Sequence, residues 1–182
     1  LALAHFTMFP PRSLTGALRQ AEALNRAGRL QELPPALRRA WVEAPGDAAA
    51  EANIMAQFGQ VLSADDHAQR FDRLYFARDL PGAQRALDRM SGVRRGAGQI
   101  RLALAGEPDP TQIRLRPVDL GWAHERARLL RRRDQDSDAV ASWIVAEPFQ
   151  QDLPLETARA VWTERQILAR KLLRLNNPQE IG

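Results

Sequence analysis

The chain has no cysteine among its 182 residues, which excludes a disulfide framework and metal sites built from thiolates. It has a single tyrosine, and aromatic residues make up only 6% of the sequence. No apolar run approaches the roughly 18 residues that a membrane-spanning helix needs, so we expect no membrane span. What remains is 45% hydrophobic and 26% charged, which is typical of a globular protein with a packed core.

Lysine is nearly absent as well, since Lys171 is the only one and every other basic residue except histidine is an arginine. The formal net charge is only +4, because arginine alternates with aspartate and glutamate along most of the chain. A nucleic-acid-binding protein more often clusters its positive charge on one face, with aromatic residues between the charges. We therefore interpret the arginines as solvated faces and intramolecular ion pairs, and we expect no nucleic-acid partner.

Helical periodicity and helix-capping residues organise most of the sequence. Ser13 is a good N-cap and precedes an apolar stripe that ends at Gly28, a typical C-terminal glycine. Asp47 starts another helix, and Ser63 with Asp66 forms a capping box with Asp in place of Glu. Valine, isoleucine and threonine are sparse, and no segment alternates with the period of a strand. The sequence predicts an all-α fold of about nine short helices, preceded by an extended segment over residues 1–12.

Helix–turn–helix units recur along the chain at an irregular spacing. Leu74-Tyr75 aligns with Leu129-Leu130, and Arg78-Asp79 with Arg133-Asp134, while Leu24 with Gly28 marks a degenerate copy. The helix before Arg133 is apolar on two faces, as expected of a helix packed between neighbours. These patterns are typical of an irregular α-solenoid, or superhelix. We predict a single superhelical domain over residues 13–182.

Few residues suggest chemistry. His5, His67 and His124 do not pair with each other at metal-ligand spacing, so we interpret them as surface or partly buried polar residues. Asp65-Asp66 is better explained by helix capping than by acid–base catalysis. The glycine-rich run Gly92–Gly98 fits no phosphate loop or dinucleotide fingerprint and is interpreted as a turn between helices. We expect no metal and no cofactor.

Two further sets of residues have a structural and a functional interpretation. The run Arg131, Arg132 and Arg133 falls at a helix C-terminus, where cations oppose the helix dipole; the alternative is a contact with an anion or a glycan, such as a peptidoglycan stem-peptide carboxylate. The tryptophans lie on apolar stripes, which favours core positions over sugar-stacking platforms. They are Trp41, Trp122, Trp143 and Trp162.

Six segments, taken in their order and spacing, carry a resemblance to a known family. They are Leu37–Val42, Met55–His67, Arg70–Arg78, Gln99–Leu104, Glu125–Arg133 and Trp162–Arg170. This series resembles the α-superhelical, non-catalytic region of soluble lytic murein transglycosylases and covers about residues 36 to 178. The stretch between Glu107 and Leu120 departs from the family pattern and is shortened.

The resemblance implies a role in the cell wall. Family members are periplasmic carbon–oxygen lyases that cleave the bond between N-acetylmuramic acid and N-acetylglucosamine without water, leaving a 1,6-anhydro end. Their lysozyme-like catalytic domain follows the superhelix and carries a Glu-Ser pair and a Gly-Leu-Met-Gln run, and neither occurs here. The resemblance therefore implies an inactive periplasmic scaffold, with no catalytic residue to carry over. Its partner would be peptidoglycan or a catalytic domain missing from this chain.

Two other expectations concern protein partners. The alternative function is a helical-repeat module that binds a protein and has no glycan role. In the last predicted helix, Val161, Leu168, Leu172 and Leu175 lie on one broad apolar stripe, and Asn176-Asn177-Pro178 resembles the turn into a further repeat. A solenoid truncated at this point would expose its stacking surface, so we predict self-association through these four residues.

Overall fold

The structure, a computed structural model, describes residues 2–106 and 119–176. Within these ranges every regular element is a helix, which confirms the all-α fold. The α-helices are α1 (Ala2–Met8), α2 (Leu14–Arg26), α3 (Leu33–Glu43), α4 (Ala48–Phe58), α5 (Ala64–Phe76), α6 (Leu80–Leu87), α7 (Gly92–Ala105), α8 (Leu120–Arg132), α9 (Asp136–Val145) and α10 (Leu155–Asn176). Short 3-10 helices span Gly59–Val61 and Glu147–Phe149.

The chain divides into two compact units, and the single superhelical domain over residues 13–182 stays a prediction. Unit 1 comprises Leu1–Tyr75 and Asp79–Ser91, and unit 2 comprises Phe76–Arg78 and Gly92–Gly182. The division follows from contacts between residues far apart in the chain, which helical periodicity does not report.

The capping residues that the sequence singled out do cap helices. Ser13 Oγ and Asp47 Oδ1 each accept a hydrogen bond from the amide three residues further on, at 3.2 and 2.8 Å. The Ser63–Asp66 pair is reciprocal, because the Ser63 amide donates to Asp66 Oδ2 at 2.7 Å and the Asp66 amide donates to Ser63 Oγ at 3.2 Å. These contacts satisfy amides that a helix leaves unpaired at its start.

The helices α2, α5 and α8 end in the same left-handed turn. The carbonyls of Leu24, Leu74 and Leu130 accept the amides of Arg29, Asp79 and Gln135 at 3.0, 2.9 and 2.9 Å. Before each donor stands a residue with positive φ, namely Gly28 at 69°, Arg78 at 64° and Asp134 at 59°. This is the Schellman arrangement. It aligns Leu74 with Leu130, one residue later than the predicted alignment with Leu129.

The N-terminal segment is helical where the sequence predicted an extended chain. Helix α1 covers Ala2–Met8, and the Phe9 amide continues its pattern by donating to the His5 carbonyl at 2.8 Å. Leu3 packs against the core of unit 1, and this tertiary contact favours a helix that is too short to be stable alone. The helical run is interrupted at residues 9–13, which include Pro10-Pro11 and the N-cap Ser13.

The glycine-rich run also differs from its prediction. Gly92–Gly98 forms the first half of α7 and not a turn. Glycine weakens a helix by about 1 kcal/mol relative to alanine, but α7 packs against α8 and buries Gly98 and Leu104. Packing therefore outweighs the low intrinsic propensity.

The core of unit 1 is built from α2, α3 and α4. It consists of Leu14, Leu18, Ala21, Leu24, Leu33, Leu37, Trp41, Ala44, Ala50, Ile54 and Phe58. Each fully buried leucine or isoleucine contributes roughly 1.5–3 kcal/mol to folding. Trp41, which is fully buried, lies where this core meets α5.

Helix α8 occupies the centre of unit 2 and packs on α7, α9 and α10. As its two apolar faces predicted, Ala127 and Leu130 are buried on one face, and Trp122 and Leu129 are buried on the other. Two of the helices that pack on α8, namely α9 and α10, form the candidate site.

Candidate functional site

Unit 2 contains a groove between α9 and α10. Its volume is about 520 Å³. The lining residues are Val140, Trp143, Ile144, Glu147, Gln150, Arg165, Leu168, Ala169 and Leu172. Aliphatic and aromatic side chains form most of this lining, so the groove suits an apolar side chain or an amphipathic helix better than a charged small molecule.

One end of the groove is polar. Arg165 Nη1 donates to Gln150 Oε1 at 2.7 Å, and the Arg165 guanidinium lies 5.8 Å from the centre of the Trp143 ring. Glu147 lines the same groove and is exposed. This end could hold a polar or charged group of a ligand, while the Leu168–Leu172 end holds apolar groups.

An exposed apolar ridge runs along α10 beside the groove. It consists of Leu155, Trp162 and Leu173, which are 65%, 63% and 69% exposed. Their spacing places them on one side of the helix. We call these three residues the α10 ridge.

The predicted self-association surface is only partly available. Val161 and Leu168 are each 4% exposed, because α10 packs on α8 and α9 through that side. Leu172 is half-buried in the groove, and the Leu175 side chain and the predicted turn at Asn177-Pro178 lie outside the described residues. The apolar stripe of α10 therefore has two parts. Val161 and Leu168 belong to the core, whereas the α10 ridge is exposed.

The same division separates the tryptophans. Trp41, Trp122 and Trp143 are buried, which confirms their predicted core positions. Trp162 is exposed on the α10 ridge, so its predicted core position was wrong.

The arginine run at the end of α8 does not act as one group. Arg131 donates to both carboxylate oxygens of Glu164, at 2.5 and 3.1 Å. That guanidinium therefore serves an ion pair between α8 and α10. Arg132 and Arg133 are exposed, and an anion or glycan contact there stays a prediction.

A buried ionic cluster joins α4, α5 and α6 in unit 1, and no local pattern in the sequence indicates it. Glu51 and Arg70 are both 0% exposed. Arg70 Nη2 donates to Glu51 Oε1 at 2.9 Å, and Nη1 donates to the carbonyls of Trp41 and Ala44 at the end of α3, at 2.5 and 3.2 Å. Arg70 thereby connects α5 to both α3 and α4.

Two more arginines complete this Glu51 cluster. Arg85 Nε and Arg89 Nη1 donate to Glu51 Oε2 at 3.1 and 3.0 Å. Burial alone would raise the pKa of Glu51, but hydrogen bonds from Arg85 and Arg70 outweigh it and hold that pKa below its ordinary value. Glu51 is therefore a structural anion.

Among the described residues of unit 2, Glu125 and Glu164 are also buried and are also bound by arginine. Glu125 accepts from Arg78 at 2.7 Å and from Arg128 at 2.5 Å, and Glu164 accepts from Arg131 as described. The predicted use of arginine in intramolecular ion pairs is confirmed at these sites, although the pairs are more deeply buried than the solvated faces we expected.

Two of the three histidines are more deeply buried than predicted, whereas His5 is at the surface as predicted. His67 and His124 are buried, whereas His5 is exposed. His124 lies between the rings of Phe76 and Trp143, with centroids 5.5 and 5.9 Å away. Burial lowers the pKa of His67 and of His124, so each favours the neutral imidazole.

Across residues 2–106 and 119–176, no group of three or more carboxylate or imidazole side chains is placed to hold a metal ion. No helix in these ranges combines the length and the apolar character that crossing a bilayer requires.

Comparisons with known proteins found no relative of this chain. No family model, no curated protein and no solved structure matches this chain. The resemblance to lytic transglycosylases therefore stays a prediction that rests on the six sequence segments alone.

Proposed function

We propose that this chain is a non-catalytic helical scaffold of the kind that accompanies the catalytic domain of soluble lytic transglycosylases. In this proposal it acts in the periplasm, stacks its helix pairs as a superhelix, and contacts peptidoglycan strands or holds a catalytic domain near them.

The observation that supports a repeat scaffold most directly is the shared geometry of the helix pairs. The first helix of each of three helix pairs, namely α2, α5 and α8, ends in the same Schellman turn, at Gly28, Arg78 and Asp134. The side-chain contacts before these turns differ, because the Arg70 guanidinium of α5 lies over Trp41 of α3 at 4.8 Å, whereas that of Arg126 lies over Trp122 of its own helix at 5.4 Å. Recurrence of the turn is typical of a repeat protein.

The environment of the buried glutamates supports a non-catalytic role. Breaking a glycosidic bond requires a carboxyl that still holds its proton near neutral pH, usually because its surroundings are apolar. Arginines lower the pKa of Glu51, and arginines also bind Glu125 and Glu164. These side chains are engaged in holding helices together.

Binding to purified peptidoglycan sacculi tests the proposal. We expect the chain to co-sediment with sacculi and to release no anhydro-muropeptides. Reversing the exposed pair, Arg132→Glu with Arg133→Glu, should reduce the bound fraction, because these side chains would contact stem-peptide carboxylates. The matched control is Arg94→Glu with Arg95→Glu, which changes an adjacent arginine pair on α7 by the same charge.

Two results would contradict the proposal. One is the absence of co-sedimentation at any salt concentration, which would exclude direct contact with peptidoglycan. The other is release of anhydro-muropeptides that is lost when a single glutamate of this chain is replaced by glutamine.

The second candidate is a protein-interaction module without a glycan role. The α9–α10 groove and the α10 ridge favour it, since apolar surfaces of this kind mark protein interfaces. Association of the purified chain with a protein, combined with no binding to sacculi, would select this candidate.

A further inference from the structure

We propose that unit 1 binds a short peptide by both of its charged ends, in a groove between α3 and the chain around the start of α2. The volume of this groove is about 430 Å³, and we call it the α2–α3 groove. Its lining includes Arg12, Gln20, Ala36, Arg39, Ala40 and Glu43. The inference goes beyond the scaffold role and does not depend on it.

The first argument is the convergence of polar side chains that lack a partner. Arg12 precedes α2, Gln20 lies on α2, and Arg39 and Glu43 lie on α3. Within residues 2–106 and 119–176, none of these four side chains has a hydrogen bond or an ion pair. A groove with a few polar groups directed from separate elements is typical of a ligand site.

The second argument concerns the signs of these charges. Arg39 and Glu43 stand four residues apart on α3, a spacing at which opposite charges often pair, yet they are not bonded to each other. A simple anion would be attracted by the two arginines and repelled by Glu43. A ligand that carries both charges satisfies all three side chains, because its carboxylate accepts from the arginines and its ammonium donates to Glu43.

The size of the ligand follows from the spacing on α3. Arg39 and Glu43 lie about 6 Å apart along the helix axis, since each residue rises 1.5 Å. An extended dipeptide spans up to about 7 Å, so its two ends can face these side chains together. The Gln20 amide can donate to or accept from the peptide bond between them. Ala36 and Ala40 leave room for a backbone, so we expect small side chains on the ligand.

The walls of the groove are fixed before any ligand binds. The Leu14 amide donates to the Pro45 carbonyl at 3.0 Å, which joins the start of α2 to the chain after α3. The buried Arg70 donates to the Ala44 carbonyl at 3.2 Å, and both Ala44 and Pro45 line the groove. A site held in this way loses little conformational entropy on binding.

Titration of the isotope-labelled chain with alanyl-alanine, followed by the nuclear magnetic resonance shifts of its backbone amides, tests the proposal. We expect saturable shifts at the residues of the α2–α3 groove. N-acetyl-alanyl-alanine lacks the ammonium, and alanyl-alanine amide lacks the carboxylate. Each of these blocked peptides should bind about 5-fold or more weakly than the free dipeptide, since each loses a hydrogen bond between charged groups.

Substitutions assign each end of the peptide to its side chain. Glu43→Gln should weaken binding of alanyl-alanine by about 5-fold without weakening that of the N-acetyl peptide, which has no ammonium to lose. Arg39→Gln should weaken binding of alanyl-alanine without weakening that of the amide. The matched controls are Arg19→Gln and Glu22→Gln, which form an ion pair on α2 and do not line the groove, so the affinity should not change.

The proposal is overturned if alanyl-alanine produces no saturable shifts in the groove, or if a blocked peptide binds as tightly as the free one. It is also overturned if Glu43→Gln weakens binding of the free and N-acetyl peptides equally, because that result would show a structural effect. Sacculi binding is measured through Arg132 and Arg133 of unit 2, so the two proposals can fail separately.

Discussion

At the scale of single residues, Glu51 is the carboxylate that binds the three arginines of the buried cluster in unit 1. A carboxylate and a guanidinium that are both removed from water lose much hydration energy, and only their mutual hydrogen bonds compensate. Glu51 receives donors from Arg70, Arg85 and Arg89, and Arg70 also bonds the end of α3. The cluster therefore ties the α2–α4 core to α5 and α6.

We predict that Glu51→Gln destabilises the protein by about 3–5 kcal/mol, because it leaves the charge of Arg70 buried without a counter-ion. Urea unfolding followed by circular dichroism measures the effect. The control is Glu22→Gln, which removes a helix-surface pair with Arg19 and Arg26 and should change the unfolding free energy by no more than about 0.5 kcal/mol.

The same cluster sets a pH dependence. The folded-state pKa of Glu51 lies below its ordinary value of 4.5, so its contribution to stability is full above that value and is lost as pH falls through the folded pKa. The stability difference between the unmodified chain and Glu51→Gln should therefore shrink below about pH 4.5. A difference that is small at pH 7, or that grows on acidification, would contradict this account.

Sequence reasoning found the arginine ion pairs in general and missed this cluster in particular. Glu51, Arg70 and Arg85 lie on three helices, so no local spacing brings them together. For Trp162 the local apolar pattern was found, but the burial of the side chain was predicted wrongly. A helical wheel shows a broad apolar stripe on α10, but only the packing of α8 and α9 determines that Val161 is covered and Trp162 is not.

At the scale of helices, local signals were reliable where one side chain acts on its own backbone. Ser13, Asp47 and the Ser63–Asp66 box each bond an amide three residues away, so the sequence itself holds both partners. Gly28 ended α2 as predicted. The misses, α1 and the first half of α7, are segments whose helices depend on packing against other parts of the chain.

Two glycines should respond in opposite directions to the same substitution. Gly28 has φ of 69°, where a Cβ costs roughly 1 kcal/mol or more, so Gly28→Ala should destabilise the protein by about that amount. Gly96 lies within α7 with no atom within 4 Å of an added Cβ, so Gly96→Ala should stabilise it by about 0.5–1 kcal/mol. Shifts of the urea midpoint in the same direction for both variants would refute this interpretation.

At the scale of the whole molecule, composition and periodicity were enough to predict the all-α fold class. They carry no information on the division of the chain into two compact units. The scarcity of β-branched residues and the nine predicted helical segments led directly to an all-α fold. The two units could not be predicted, because the residues Phe76–Arg78 group with a part of the chain that begins at Gly92. A short segment that groups with a later part of the chain has no local sequence signal.

The only lysine of the molecule offers a chemical reporter for unit 2. Lys171 Nζ on α10 donates to the Arg131 carbonyl, Asp134 Oδ1 and Asp136 Oδ1 at 2.9, 2.7 and 2.8 Å. The hydrogen bonds from Lys171 to Asp134 and Asp136 raise the pKa of its amine. Since acylating reagents consume the neutral amine, Lys171 should be modified far more slowly than a free lysine.

Mass spectrometry of the intact chain can follow this reaction at one known position. Asp134→Asn with Asp136→Asn should accelerate acylation of Lys171, and a rate in the unmodified chain equal to that of free lysine would contradict the geometry. Because no second side-chain amine competes for the reagent, each acyl group added to a lysine records one release of the Lys171 amine from its hydrogen bonds to Asp134 and Asp136, so the labelling rate measures how often these hydrogen bonds open.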